Sequence, residues 1–193
     1  YEKAVKQETE LTAEELLVAT VGKVDAKKRI EDIIRAIAGL GAHLFIAGNP
    51  DAEPAYTALL RAEAAAAGCA SRVHWLGFLD EAATAAAYAA ADVFVHASES
   101  EGMALAILEA MSAGLPVVAT RGCYMTEAAS AHALVQCEQG PAALAAALAP
   151  LLADPQAARA QGLAGQAHAH HVHDWEALAR ATMRLYAEAP VRA

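Results

Sequence analysis

The chain is poor in rings, thiols and positive charge. Phe, Trp and Tyr supply only 5% of its 193 residues, and the apolar 56% rests on alanine, leucine and valine. No stretch approaches the ~20 consecutive apolar residues that a membrane-spanning helix needs, and no basic-then-apolar leader opens the sequence, so a soluble protein is expected. Fourteen Lys and Arg stand against 23 Asp and Glu, a net charge of −9. That balance argues against a nucleic-acid partner, because binders of the phosphate backbone are basic as a whole. It leaves room for a small phosphorylated ligand, for which two or three local cations suffice. The three cysteines, Cys69, Cys123 and Cys137, form no C-x-x-C pair. Free thiols in a reducing, cytoplasmic compartment are therefore expected over a disulfide framework.

What is present is globular in composition and long enough for one sizeable core. The first fifteen residues, "YEKAVKQETELTAEE", are polar and helix-prone and read as a linker or helix of a piece cut from something longer. Apolar β-type runs follow at 16–24, 42–49, 72–78, 92–98, 116–120 and 132–137, with helical stretches near 28–39, 53–67, 81–90, 102–113 and 124–130. The runs lack clean alternation, as strands buried on both faces do. Strands separated by helices make βαβ units and a parallel sheet. The expectation is α/β: one Rossmann-like domain over 1–193, with a sheet core of about six strands at 16–137 flanked by helices. Further helices are expected over 138–193, broken at Pro150 and Pro155. In such sheets ligands bind beyond the carboxyl ends of the strands. The loops to inspect are 22–28, 48–54, 77–81, 98–102 and 120–126.

The segment "SESEGMALAILEAMSAGLPVVAT", Ser98 to Thr120, carries Glu101 at the mouth of an apolar helix and Glu109 inside it. If Glu101 sits just before the helix it can bend toward the side of Glu109. Spacing leaves two readings for Glu109. It is the solvent-facing position of an amphipathic helix, or a carboxylate accepting hydrogen bonds from a pair of ligand hydroxyls, as on a ribose or hexose.

This segment resembles the E-x7-E region of retaining GT-B glycosyltransferases of the group 1, glycogen-synthase-like type, written S-x-x-E-G-F/M-G/S/A-L-x-x-L-E-A-M-x-x-G-x-P-V-V-A-S/T. "VGKVDAKKRIEDIIRAIAGL" is similar to that family's G-R/K-x4-K entry strand, and "HLFIAGNP" to its second strand. "RVHWLGFLDEAATAAAYAAADVFVHAS" resembles its R-V-x-F-x-G…A-D-V-F block, and "HDWEALARATMRLY" its closing helix. The resemblance implies that nearly the whole chain is the C-terminal, nucleotide-sugar-binding half, with an N-terminal acceptor half missing. It implies a UDP-, GDP- or ADP-type sugar as ligand, Glu109 on the ribose and Glu101 on the sugar hydroxyls. It puts the backbone N–H groups of Gly102, Met103 and Ala104 toward the sugar and distal phosphate, and Gly22, Lys23 and Lys28 at the diphosphate. No metal or other cofactor is implied. Lys23 replaces the commoner arginine, and Lys27 competes with Lys28 for register. Phe78 either stacks on the base or packs in the core. By the same resemblance the chain binds nucleotide but transfers nothing alone, and membrane contact belongs to the missing half.

Two segments depart from the family pattern. "RGCYMTE" (121–127) has Cys123 where a second glycine is usual, so a side chain is expected to crowd the ligand's approach. "SAHALVQC" (130–137) lacks the usual glycines. The altered "RGCYMTE" loop motivates an alternative, a non-catalytic nucleotide-sugar-binding or scaffold protein on the same fold. A nicotinamide-dependent enzyme is disfavoured, since no G-x-G-x-x-G follows the first strand. The cluster His168, His170, His171, His173 and Asp174 is expected to be a solvated surface turn and not a metal site.

Overall fold

The computed structural model describes residues 15–188. The linker or helix expected at 1–15 lies outside the described residues except for Glu15. Six strands form: β1 (Leu17–Val21), β2 (His43–Ala47), β3 (Val73–Gly77), β4 (Val93–His96), β5 (Val117–Thr120) and β6 (Val135–Cys137). They make one sheet in the order β3-β2-β1-β4-β5-β6, and every pairing is parallel. Leu17 lies opposite His43, Val18 opposite Val93, Phe94 opposite Val117 and Val118 opposite Val135. The order reverses between β1 and β4, which is where the loops on the carboxyl edge separate and open a crevice.

The crossovers are α1 (Ile30–Ala38), α2 (Pro54–Ala66), α3 (Glu81–Ala90), α4 (Leu105–Ser112) and the short α5 (Thr126–Ser130). After the sheet come α6 (Pro141–Ala153), α7 (Pro155–Val172) and α8 (Trp175–Glu188). Successive strand residues face opposite layers, and both layers are filled. Val18, Leu44, Ile46, Val95 and Val118 meet Ile33, Ile34 and Ile37 of α1 and Leu144 and Leu148 of α6. Leu17, Ala19, Phe45, Phe94 and Val117 meet Tyr88 of α3 and Ile107, Ala110 and Met111 of α4. Burial on both sides explains why the strands read as unbroken apolar runs.

The strands are shorter than those runs: at β1, β2 and β4 two or three residues of the run belong to the loop on the carboxyl edge, whereas β5 and β6 lose residues only at their amino ends. The helix expected from 102 begins at Leu105. Pro150 does not break its helix; α6 runs through it to Ala153. A proline this near the end removes only one hydrogen bond of the last turn, and Leu148, Leu151 and Leu152 around it are held in the core. Pro155 does mark a start: Asp154 caps α7 by accepting from the N–H groups of Gln156 and Ala157. Of the histidine cluster, His168, His170 and His171 lie on the last turns of α7, a helix where a turn was expected, and His173 and Asp174 follow its end. The cluster's positions are half-buried or exposed except for the intervening Ala169.

Candidate functional site

Three glycines fix the carboxyl edge. Gly22 donates to the carbonyl of Ala47 at 2.9 Å, and Gly48 donates to Gly77 at 2.8 Å, so the ends of β1, β2 and β3 stay joined past the strands themselves. A Cβ on Gly48 would lie 2.0 Å from the carbonyl oxygen of Gly22, so no side chain fits between these two strand ends. Beyond Gly22 a tight turn over Ala26–Lys28 leads into Arg29, which takes the left-handed conformation at φ 49°. That conformation costs a non-glycine residue about 1 kcal/mol. Arg29 is tied down by ion pairs to Glu31 (3.3 Å), Asp32 (3.2 Å) and Glu99 (3.5 Å). The Glu99 N–H also donates to the carbonyl of Lys27 at 2.9 Å. The β1 loop and the β4 loop are thus stitched together, and the stitch decides the register: Lys28, not Lys27, reaches Glu101.

Lys28 Nζ stands 2.5 Å from Glu101 Oε1. The same oxygen lies 2.9 Å from His96 Nε2 and accepts a hydrogen bond from the Ser98 hydroxyl. Burial alone would raise the Glu101 carboxyl, but the bonds from Lys28, Ser98 and His96 outweigh it and hold the group down at about 2. His96 is 3% exposed. Its burial, opposed by the bond to Glu101, pushes the imidazole below its ordinary value and keeps it neutral at pH 7. Lys23 is 58% exposed and pairs with Asp25 at 3.4 Å and Glu53 at 3.5 Å. Those carboxylates, Asp25 first, raise its pKa. A cavity lined by Gly22, Lys23, Lys28 and His96 opens at this point.

Glu109 is exposed on α4, the solvent-facing position that was one of its two readings, and its Oε2 accepts from the Tyr88 hydroxyl at 3.0 Å. Burial, and then the Glu109 charge, push the Tyr88 phenol well up, so it remains a donor at any working pH. Glu109, Tyr88, Thr84, Glu81 and Ser112 line a cleft of about 520 Å³. A second cleft of about 370 Å³ lies between Gly22, Lys23, Gly48, Asn49, Phe78 and Thr84. Val21 borders both clefts and the cavity at Lys28, so the three adjoin along one edge. Phe78 is 83% exposed, which excludes the core-packing reading. Glu101 adjoins the cavity through its partners Lys28 and His96, and Glu109 lines the larger cleft against α3.

Gly102 and Met103 are exposed, and Ala104 buries its methyl in the core with Ile107 and Ala110. Among the described residues the N–H groups of 102–104 meet no backbone acceptor. The expectation that Cys123 crowds the ligand is corrected. Cys123 is 3% exposed, its thiol points at the carbonyl of His96 (3.5 Å), and it packs in the core. The glycine that matters in this loop is Gly122, where a Cβ would meet the Glu99 carbonyl oxygen at 2.2 Å. All three cysteines are free, and no three His, Cys, Asp or Glu among the described residues are grouped to hold a metal ion. Sequence reasoning missed His96, Ser98 and Tyr88. The one signal for the first two was their place in "HASESE", one turn ahead of Glu101.

A family model described as "Glycosyl transferases group 1" matches residues 2–168. The D-inositol 3-phosphate glycosyltransferase of Segniliparus rotundus is 32% identical over 204 residues, taking in 98% of this chain and 45% of that protein. The chain thus spans less than half the length of this curated relative. Among solved structures, sucrose-phosphate synthase from Thermosynechococcus elongatus superposes with a TM-score of 0.84 at 29% identity, over 96% of this chain and 48% of that one. Anabaena Alr3699/HepE, solved in complex with UDP and glucose, superposes with a TM-score of 0.86 at 22% identity, over 97% and 52%. At that identity the likeness is one of fold.

Proposed function

The chain belongs to the group 1 glycosyl transferases, and from that premise we propose that it is the donor-binding half of an enzyme moving a glycosyl group from a nucleoside-diphosphate sugar with retention of configuration. The observation that carries this reading is the Lys28–Glu101 pair at the sheet's carboxyl edge, with Lys23 and Glu109 on the same edge. In this reading the ribose hydroxyls donate to Glu109, the base lies toward Phe78, and the diphosphate meets Lys28 and Lys23. The sugar hydroxyls reach Glu101, and the distal phosphate faces the N–H groups of Gly102 to Ala104 at the start of α4.

As the bond between sugar and diphosphate breaks, negative charge grows on the leaving oxygen. A lysine placed there beforehand stabilises that charge more than the ground state, by about 2–4 kcal/mol per cation in a water-poor site. The two ammonium groups do this work without a metal ion. The full protein would act in a reducing, cytoplasmic setting, with an acceptor-binding half supplied by the remaining length that relatives have. The non-catalytic alternative loses its motive, because the Cys123 side chain packs inward and leaves the edge clear. Calorimetry with UDP, GDP, ADP and their glucose conjugates tests the reading. Saturable binding of at least one is expected, and silence from all at millimolar concentration overturns it.

A further inference from the structure

Glu101 is held in an uneven way. All three of its donors, Lys28 Nζ, His96 Nε2 and the Ser98 hydroxyl, converge on Oε1. Among the described residues Oε2 has no hydrogen-bond partner and is not sealed from solvent. One oxygen is therefore the anchor and the other is on offer. An ionised carboxylate can only accept, so the nitrogen 2.9 Å from it, His96 Nε2, carries the hydrogen, and the longer 3.5 Å approach of Lys28 Nζ to the same nitrogen is then no hydrogen bond. Nδ1 of the same ring is then a bare lone pair, buried and, among the described residues, without a partner. A buried, unsatisfied acceptor is unfavourable. The ring keeps this arrangement at the end of β4, stacked on Phe94 at 6.0 Å between centroids.

Lys28 meets a conflict. In the free protein its ammonium is neutralised by Glu101, yet a diphosphate at this edge calls for the same cation. When Lys28 turns to the phosphates, a half-buried carboxylate loses its counter-charge. His96 and Ser98 are the donors left to hold it.

Resting on the donor-binding reading above, we infer that His96 is a positioning residue: through Nε2–H it keeps Glu101 in place while Lys28 passes from Glu101 to the donor's diphosphate. It does not touch the reacting atoms; it lowers the cost of freeing the lysine.

UDP is the probe, with uridine, which lacks phosphates, as control, both titrated into the chain by calorimetry. His96→Leu is expected to weaken UDP roughly tenfold, the scale of one hydrogen bond to a charged group, and to leave uridine unchanged. His96→Gln, whose amide N–H falls near Nε2, should bind UDP within about twofold of wild type, while His96→Asn, whose amide falls near Nδ1, should behave like the leucine variant. In a Lys28→Met background His96→Leu should no longer matter to UDP, a coupling that a merely structural residue would not display. Long-range 1H–15N spectra of the wild-type chain should find His96 neutral and protonated at Nε2 at pH 7, a readout that needs neither nucleotide nor variant. The inference is overturned if His96→Leu binds UDP normally, if Gln and Asn behave alike, if the coupling to Lys28 is absent, or if Nδ1 carries the proton. Wild type that binds no nucleoside diphosphate at all would instead bring down the donor-binding reading and this inference with it.

Discussion

At the scale of single residues the two glutamates divide the edge by the company they keep. Among the described residues Glu109 has one side-chain donor, the Tyr88 hydroxyl, which also reaches the carbonyl of Ala106 at 3.3 Å. Tyr88→Phe leaves the carboxylate without that donor, so on the donor-binding reading the orientation proposed for holding a ribose is lost. Affinity for UDP and for uridine should fall together by roughly three- to tenfold, measured by calorimetry, since a hydrogen bond to a charged group is worth about 1.5–3 kcal/mol and only part of it bears on binding. Glu101 answers instead to acid. Its carboxyl is held at about 2 in place of 4.5, so its contribution to stability is fully present above about pH 4.5 and is lost as pH falls toward about 2. The difference corresponds to about 3 kcal/mol at 1.36 kcal/mol per pKa unit. Urea unfolding across this window should find wild type losing that much more stability than Glu101→Gln, and equal slopes would refute the account.

Elements set where these residues stand, and here close backbone contacts decide. Gly48→Ala would drive a methyl into the Gly22 carbonyl oxygen and force the ends of β1 and β2 apart. Overpacking of this kind costs about 1–3 kcal/mol, or roughly 3–10 °C in Tm for a chain of this size. Gly102→Ala, with nothing within 4 Å of the added carbon, should leave Tm unchanged yet weaken UDP–glucose if phosphate or sugar approaches the backbone there. Differential scanning calorimetry paired with titration separates the two effects. The same contrast marks what the letters carry. Strand positions and the loops on the carboxyl edge were legible because both-face burial leaves a run of apolar residues and its interruption by Gly22, Gly48 and Gly77. Lys28 and Glu101 were legible through resemblance. His96, Ser98 and Tyr88 were not, because what they do depends on pairing across the sheet and on α3 packing against α4. Pro150 misled for a related reason: tertiary packing of α6 outweighed a local helix-breaking preference.

For the whole molecule, charge and length point the same way. A body of net charge −9 attracts a doubly charged nucleotide only where its few cations are gathered, and Lys23 and Lys28 are gathered at one edge beside Glu101 and Glu109. That edge is open: Phe78, Met103 and Tyr124 lie 83%, 63% and 70% exposed around it. Transfer with a departing diphosphate needs water kept out and an acceptor hydroxyl held near the sugar carbon, and an open half-cleft supplies neither. The chain alone should therefore bind UDP–glucose saturably while its turnover stays at the level of spontaneous hydrolysis, read by release of UDP in a coupled assay. Joined to the acceptor-side half of a relative of full length, it should release UDP only when an acceptor hydroxyl is present. Rapid acceptor-dependent release by the isolated chain would mean that this edge closes on itself, and that the second half is not what completes the site.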